Sequence, residues 1–291
     1  MCCFSSRTQV SDTAIFARFV RPGVQGLAYQ MQYEAKSPTA MILPLPVALP
    51  AREASVRFVS LEGYDAFFDD MARGFPVFSR SRSNGEPNAQ AVAVAAAAPL
   101  AVHEVGAFIA TFVPTIGDFD RVDPRFAIAD DVWDDIPAYQ DYGFAVFQLK
   151  KLAGKPHPIA LEMETRMRDA LFFPTVHIHD GTVHERDEFH HVLYAQDPRL
   201  DVGVGDYAGD DHVEASTGLV RSIDEAHVFV EGARSAGLVE SDLLVHRSTL
   251  QGLLPNRDTT VRLAGPAVVP ATAAIHEHPA QATSTAPVTA P

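Results

Sequence analysis

Cysteine is scarce: the chain has two, Cys2 and Cys3, side by side near its start, so no intrachain disulfide can staple distant loops. Stability must come from packing. No run approaches the ~20 consecutive apolar residues of a membrane-spanning helix. The first residues also lack a basic segment followed by an apolar one, so no secretory leader is expected and a cytoplasmic location is the default. Cations are few as well, with 23 Lys and Arg against 37 Asp and Glu and a formal charge of −14. Phosphate backbones and anionic headgroups reward clustered Lys and Arg, so neither nucleic acid nor a membrane surface is an expected partner. Motifs of assigned chemistry are missing too. GVGDYAG at residues 203–209 lacks the Lys-Ser or Lys-Thr of a phosphate loop and reads as a flexible turn.

What is present is apolar and mostly strand-like. At 47% hydrophobic, 291 residues can bury a substantial core in one large domain or two small ones. Residues 13–20, 27–33, 40–47 and 56–61 are rich in aliphatic and aromatic side chains and are punctuated by Pro22, Gly23 and Pro38, which predicts strands. The period then changes, because Tyr64, Phe67, Phe68 and Met71 fall on one face of a short helix within residues 64–75. Residues 79–98, biased toward Ser, Arg, Asn, Pro and Ala, read as a linker between a β-rich half at 1–78 and a second at 99–264. Further strands are expected at 101–113 and 143–149, with an Asp-rich stretch at 118–141 between them. Ser222 and Glu225 have the spacing of a capping box for a helix reaching about Ala236 and ended by Gly237. A last strand pair at 243–253 and 259–263 flanks a turn at Pro255 and Asn256. The Pro-, Ala- and Thr-rich residues 265–291, which carry His276 and His278, read as a disordered tail. The expected fold is mainly β, with α+β as its variant: a sandwich or barrel-like pair of sheets with a few peripheral helices.

The densest chemistry lies in FPTVHIHDGTVHE at 173–185. Asp180-Gly181 is a signal for a two-residue hairpin turn. That turn would pair His177 with His184 and His179 with Thr182, placing His177, His179 and His184 on one face and Ile178 and Val183 on the other. Three imidazoles on one face can hold a transition metal and leave positions open; the plainer reading is a solvated polar face. In the following HHVLYAQ strand, alternation sends one of His190 and His191 toward that face, and His191 is favoured. His103, His157, His212, His227 and His246 read as isolated packed or exposed residues. Removal of Met1 would leave a free amine on Cys2, making Cys2 and Cys3 candidate metal ligands or an N-terminal nucleophile.

MCCFS at 1–5, LPLPV at 43–47, GFAVFQL at 143–149 and the hairpin together resemble an uncharacterised family of bacterial proteins over Met1 to about Gln196. That resemblance implies kinship and no activity. The hairpin is also partly similar to the metal motif of cupin barrels, but His184 stands where a glutamate is expected and the flanking glycines are missing. The function expected from the sequence is a metal-dependent enzyme, an oxidoreductase by preference. It would act on a small molecule or peptide through His177, His179, His184 and His191 with Cys2 or Cys3, copper being narrowly favoured over zinc or iron. The alternatives are a non-catalytic metal-storage, sensing or structural protein, and an N-terminal-cysteine hydrolase.

Overall fold

A computed structural model describes residues 3–75, 100–205, 218–263 and 267–270. The expected linker at 79–98, Cys2, His212 and most of GVGDYAG lie outside the described residues, as does the expected tail at 265–291 except for residues 267–270, which form a strand. The strands are β1 (Cys3–Phe4), β2 (Thr8–Arg21), β3 (Val24–Ala35), β4 (Ala40–Leu45), β5 (Val56–Ser60), β6 (Val102–Val105), β7 (Phe108–Val113) and β8 (Gly143–Leu149). They continue with β9 (Ala153–Gly154), β10 (Ile159–Glu164), β11 (Ala170–Phe173), β12 (Arg186–Gln196), β13 (Val220–Glu225), β14 (Leu244–Pro255), β15 (Thr259–Arg262) and β16 (Ala267–Pro270). Among the described residues three short α-helices, α1 (Phe67–Arg73), α2 (Asp130–Asp134) and α3 (Pro198–Gly203), lie between strands. The mainly β expectation holds. No helix among the described residues is long and apolar enough to cross a membrane.

The described residues form three sheets. One has the order β1-β4-β8-β7-β6, and a larger one runs β13-β14-β12-β2-β3-β10-β5 with β9 beside β3. The third is β11-β15-β16. Alternation along β2 shows how the large sheet is used: Ile15 and Ala17 enter one core cluster while Phe16 enters the other. The first cluster joins the inner face of the large sheet, through Leu27, Tyr29, Leu161 and Leu193, to β4 and β8 of the smaller sheet. The second lies on the opposite face, where Phe67, Phe68 and Met71 of α1 pack with Phe229, Val230 and Leu238 over Phe16 and Tyr194. The amphipathic period at 64–75 thus becomes a covering layer. The Asp-rich stretch covers the smaller sheet, with Trp133 4.9 Å and Phe119 5.2 Å from the Phe144 ring.

Two expectations are corrected. Ser222 to Glu225 is strand, not a helix start: Ser222 Oγ donates to the Asp224 carbonyl (2.7 Å) and accepts from the Val245 amide (3.0 Å). That hydroxyl serves a strand irregularity, so nothing is left of a cap. The strands at 244–255 and 259–262 do not pair with each other; β14 joins β12 and β13, while β15 joins β11 and β16. The turn between them is committed elsewhere, because Asn256 and Asp258 cap the backbone of residues 175–177.

Candidate functional site

The expected histidine hairpin is absent. Residues 174–179 follow β11 and run beside the first residues of the chain, with an isolated parallel bridge from Cys3 to Ile178. The Phe4 amide donates to the Ile178 carbonyl (2.9 Å) and the Thr8 amide to that of His179 (3.3 Å). On the other side the His177 amide donates to Asn256 Oδ1 (2.7 Å) and the His177 carbonyl accepts from Asn256 Nδ2 (2.9 Å). Beyond the turn, β12 enters the large sheet between β14 and β2. With the backbone groups of the two arms taken by different partners, they cannot pair with each other. Asp180 and Gly181 still turn the chain, with Gly181 at φ 84° and the Thr182 amide on Asp180 Oδ1 (3.1 Å).

His177, His179 and His191 come together; His184 does not. The His177 ring centroid lies 5.2 Å from those of both His179 and His191 and 4.1 Å from Phe189. His179 stacks toward Phe4 at 6.3 Å. Burial pushes the imidazole of His177 far below the ordinary histidine range and lowers that of His179 as well. His184 is about half exposed, with Nε2 3.5 Å from Asp180 Oδ2, and His190 is exposed beside Glu188. The carboxylate that approaches the cluster is Asp187, whose Oδ2 lies 3.5 Å from His177 Nδ1. One ligand atom from each of His177, His179 and Asp187 falls within 4.8 Å of the others. Sequence reasoning missed Asp187 because it assumed that the chain beyond the turn folds back on its own hairpin. The Cys3 thiol is buried. Packed against Phe189 and Phe4, these rings form part of the interior.

A second constellation lies open at the edge strand β13. Its pairing with β14 shifts register between Arg221 and Glu225, the irregularity that Ser222 brackets. A shifted register re-aims the side chains that follow it. Ile223 is 53% exposed, and Val228 in the next turn is 58% exposed. That turn is clamped to the 241–243 segment, the Ala226 amide donating to the Leu243 carbonyl (2.9 Å) and the His227 amide to that of Ser241 (3.0 Å). The result is a cleft of about 470 Å3 lined by both apolar residues together with Asp201, Asp224, Glu225 and Asp242, and by Arg221. One ligand atom from each of Glu225, His227 and Asp242 lies within 4.8 Å of the others. Among the lining residues, burial raises the Asp201 carboxyl above its ordinary value, and the buried His246 ring stands 3.7 Å from Asp201 Oδ1. This convergence has no local signature in the chain, since Asp201 and Asp242 reach β13 only through the packing of α3 and β14.

No protein-family model matches the chain, and no curated protein matches it. Among solved structures it is similar to baculovirus P35, with 13% identity over 90% of this chain and 99% of that one and a TM-score of 0.46. A mutated baculovirus P35 after caspase cleavage gives 14% identity, 87% and 99% coverage and a TM-score of 0.43. P35 in a complex with caspase-8 gives 13%, 87% and 96%, and 0.44. The expected metal-dependent oxidoreductase is therefore withdrawn, together with its metal-storage and N-terminal-cysteine hydrolase alternatives. At these identities and scores no residue role or partner passes from those proteins to this chain.

Proposed function

We propose that this chain is a protein-binding module, recognising a partner polypeptide at the β13 cleft instead of turning over a substrate. The observation that carries the reading is the exposure of Ile223 and Val228 in a cleft that they line together with four carboxylates. Apolar side chains held open inside a polar rim are the composition of a recognition surface, where burial supplies affinity and the rim supplies orientation. The bracket at Ser222 supports it further. A buried hydroxyl with two backbone partners fixes the outward turn of the strand at Ile223, so the surface is preorganised and loses little entropy on binding.

The test is selection of peptides from a displayed random library on the immobilised chain, repeated on Ile223→Asp. Sequences enriched on the wild type and lost on the variant are the expected result. Enrichment that is equal on both overturns the reading. Purified caspase-8, the protein in complex with P35 in one matched structure, is titrated in parallel; binding there that survives Ile223→Asp would likewise put recognition outside the cleft.

A further inference from the structure

We infer that the β13 cleft reads an arginine of its partner, seated between Glu225 and Asp242, with a neighbouring apolar residue resting on Ile223 and Val228; this rests on the protein-binding reading above. The argument is charge complementarity at a shaped, partly apolar surface. Four carboxylates, from Asp201, Asp224, Glu225 and Asp242, line the cleft with a single guanidinium, that of Arg221. Glu225 and Asp242 belong to different segments, yet each offers an oxygen within 4.8 Å of the other's and of a His227 ring nitrogen. Two carboxylates held that close repel each other, and a cation placed between them removes the repulsion and gains from both.

The fold, not chance proximity, holds them there. Glu225 ends β13 and immediately precedes the turn that is clamped to residues 241–243. Asp242 lies inside that clamped segment, and His227 Nδ1 sits 3.2 Å from the Ser241 carbonyl and 3.4 Å from Glu225 Oε2. A planar guanidinium presents several donors in one fork and can serve two acceptors from separate residues, which a lysine ammonium matches less well. Ile223 and Val228, more than half exposed in the same cleft, supply the apolar contact that a bare acidic patch would lack. Affinity then comes from the apolar neighbour, and selectivity from the arginine.

The experiment uses the full chain with methyl-labelled Ile and Val and the peptide acetyl-Leu-Arg-Leu-amide. Its twin carries citrulline, a neutral isostere of arginine. Shifts at the Ile223 and Val228 methyls report binding, and the buried Val245 and Val261 methyls report an unchanged fold. The arginine peptide is expected to bind at least fivefold more tightly than the citrulline peptide. In Glu225→Gln/Asp242→Asn that ratio should fall to about one, while weak binding of both peptides persists. Equal affinity of the two peptides for the wild type overturns the arginine inference and leaves the protein-binding reading standing. Failure of both peptides to move either methyl, while they shift methyls elsewhere, overturns both. A fivefold preference that survives the double substitution also overturns the assignment of Glu225 and Asp242.

Discussion

The Tyr139 hydroxyl donates to Asp258 Oδ2 at 2.7 Å, with both side chains buried. The other carboxylate oxygen accepts the amides of Thr175 (2.9 Å) and Val176 (3.2 Å). One acid therefore ties the Asp-rich covering segment to the chain entering the histidine cluster. Burial outweighs these hydrogen bonds and pushes the Asp258 carboxyl up to about 6 from an ordinary 3.8.

A raised acid favours its protonated form in the folded state, so the folded chain binds more protons than the unfolded chain between about pH 4 and pH 6. Its contribution is present below the unfolded value and is lost as pH rises through the folded one. Two units at ~1.4 kcal/mol each make the loss about 3 kcal/mol. Asp258→Asn keeps an acceptor for both amides and cannot ionise. Urea unfolding from pH 4 to 7 should show the wild type falling relative to the variant by about that amount; parallel curves would contradict the assignment.

His246 makes the opposite prediction. Fully buried, its ring is pushed down to about 4 from 6.5, chiefly by desolvation. A depressed histidine is neutral when folded and takes up its proton on unfolding, so stability falls as pH drops from about 6.5 to about 4. The expected loss is again about 3 kcal/mol. Comparing unfolding midpoints of His246→Gln and wild type across that window isolates this residue, and a difference independent of pH would refute the shift.

The strands were legible where period and composition agreed. β2, β3 and β5 cover their expected segments with shifted ends, and residues 143–149 coincide with β8. The helical face at Tyr64, Phe67, Phe68 and Met71 was also legible, because a change of period survives burial on one side. Ser222 misled because a hydroxyl that accepts one amide suits a helix cap and a strand irregularity equally well, and only the neighbouring strand decides. His177 and His179 lie side by side and His191, favoured in the next strand, joins them, whereas His184 stays outside, because its place depended on which sheet the next strand would join. β12 pairs with β14 and β2, strands distant from it in the chain, and no local pattern encodes that choice.

The β6–β7 hairpin gives the sharpest test of packing. Val105 pairs with Phe108, so Gly106 and Ala107 are a two-residue turn, and Gly106 takes φ 52°. A Cβ on Gly106 would stand 2.2 Å from His157 Nε2, the atom that accepts the Ala107 amide at 2.9 Å. His157 Nδ1 lies 3.0 Å from the Pro158 carbonyl, and its ring packs on Phe108 at 5.1 Å, so the imidazole has little room to retreat. Gly106→Ala therefore meets a left-handed backbone penalty of ~1 kcal/mol and the loss of a partly buried hydrogen bond of ~1–2 kcal/mol, about 2–3 kcal/mol together. In a His157→Ala background the clash and the hydrogen bond are already gone, and the same glycine substitution should cost only about 1 kcal/mol. A double-mutant cycle by chemical denaturation measures the difference. Additive costs would mean that His157 does not brace the turn.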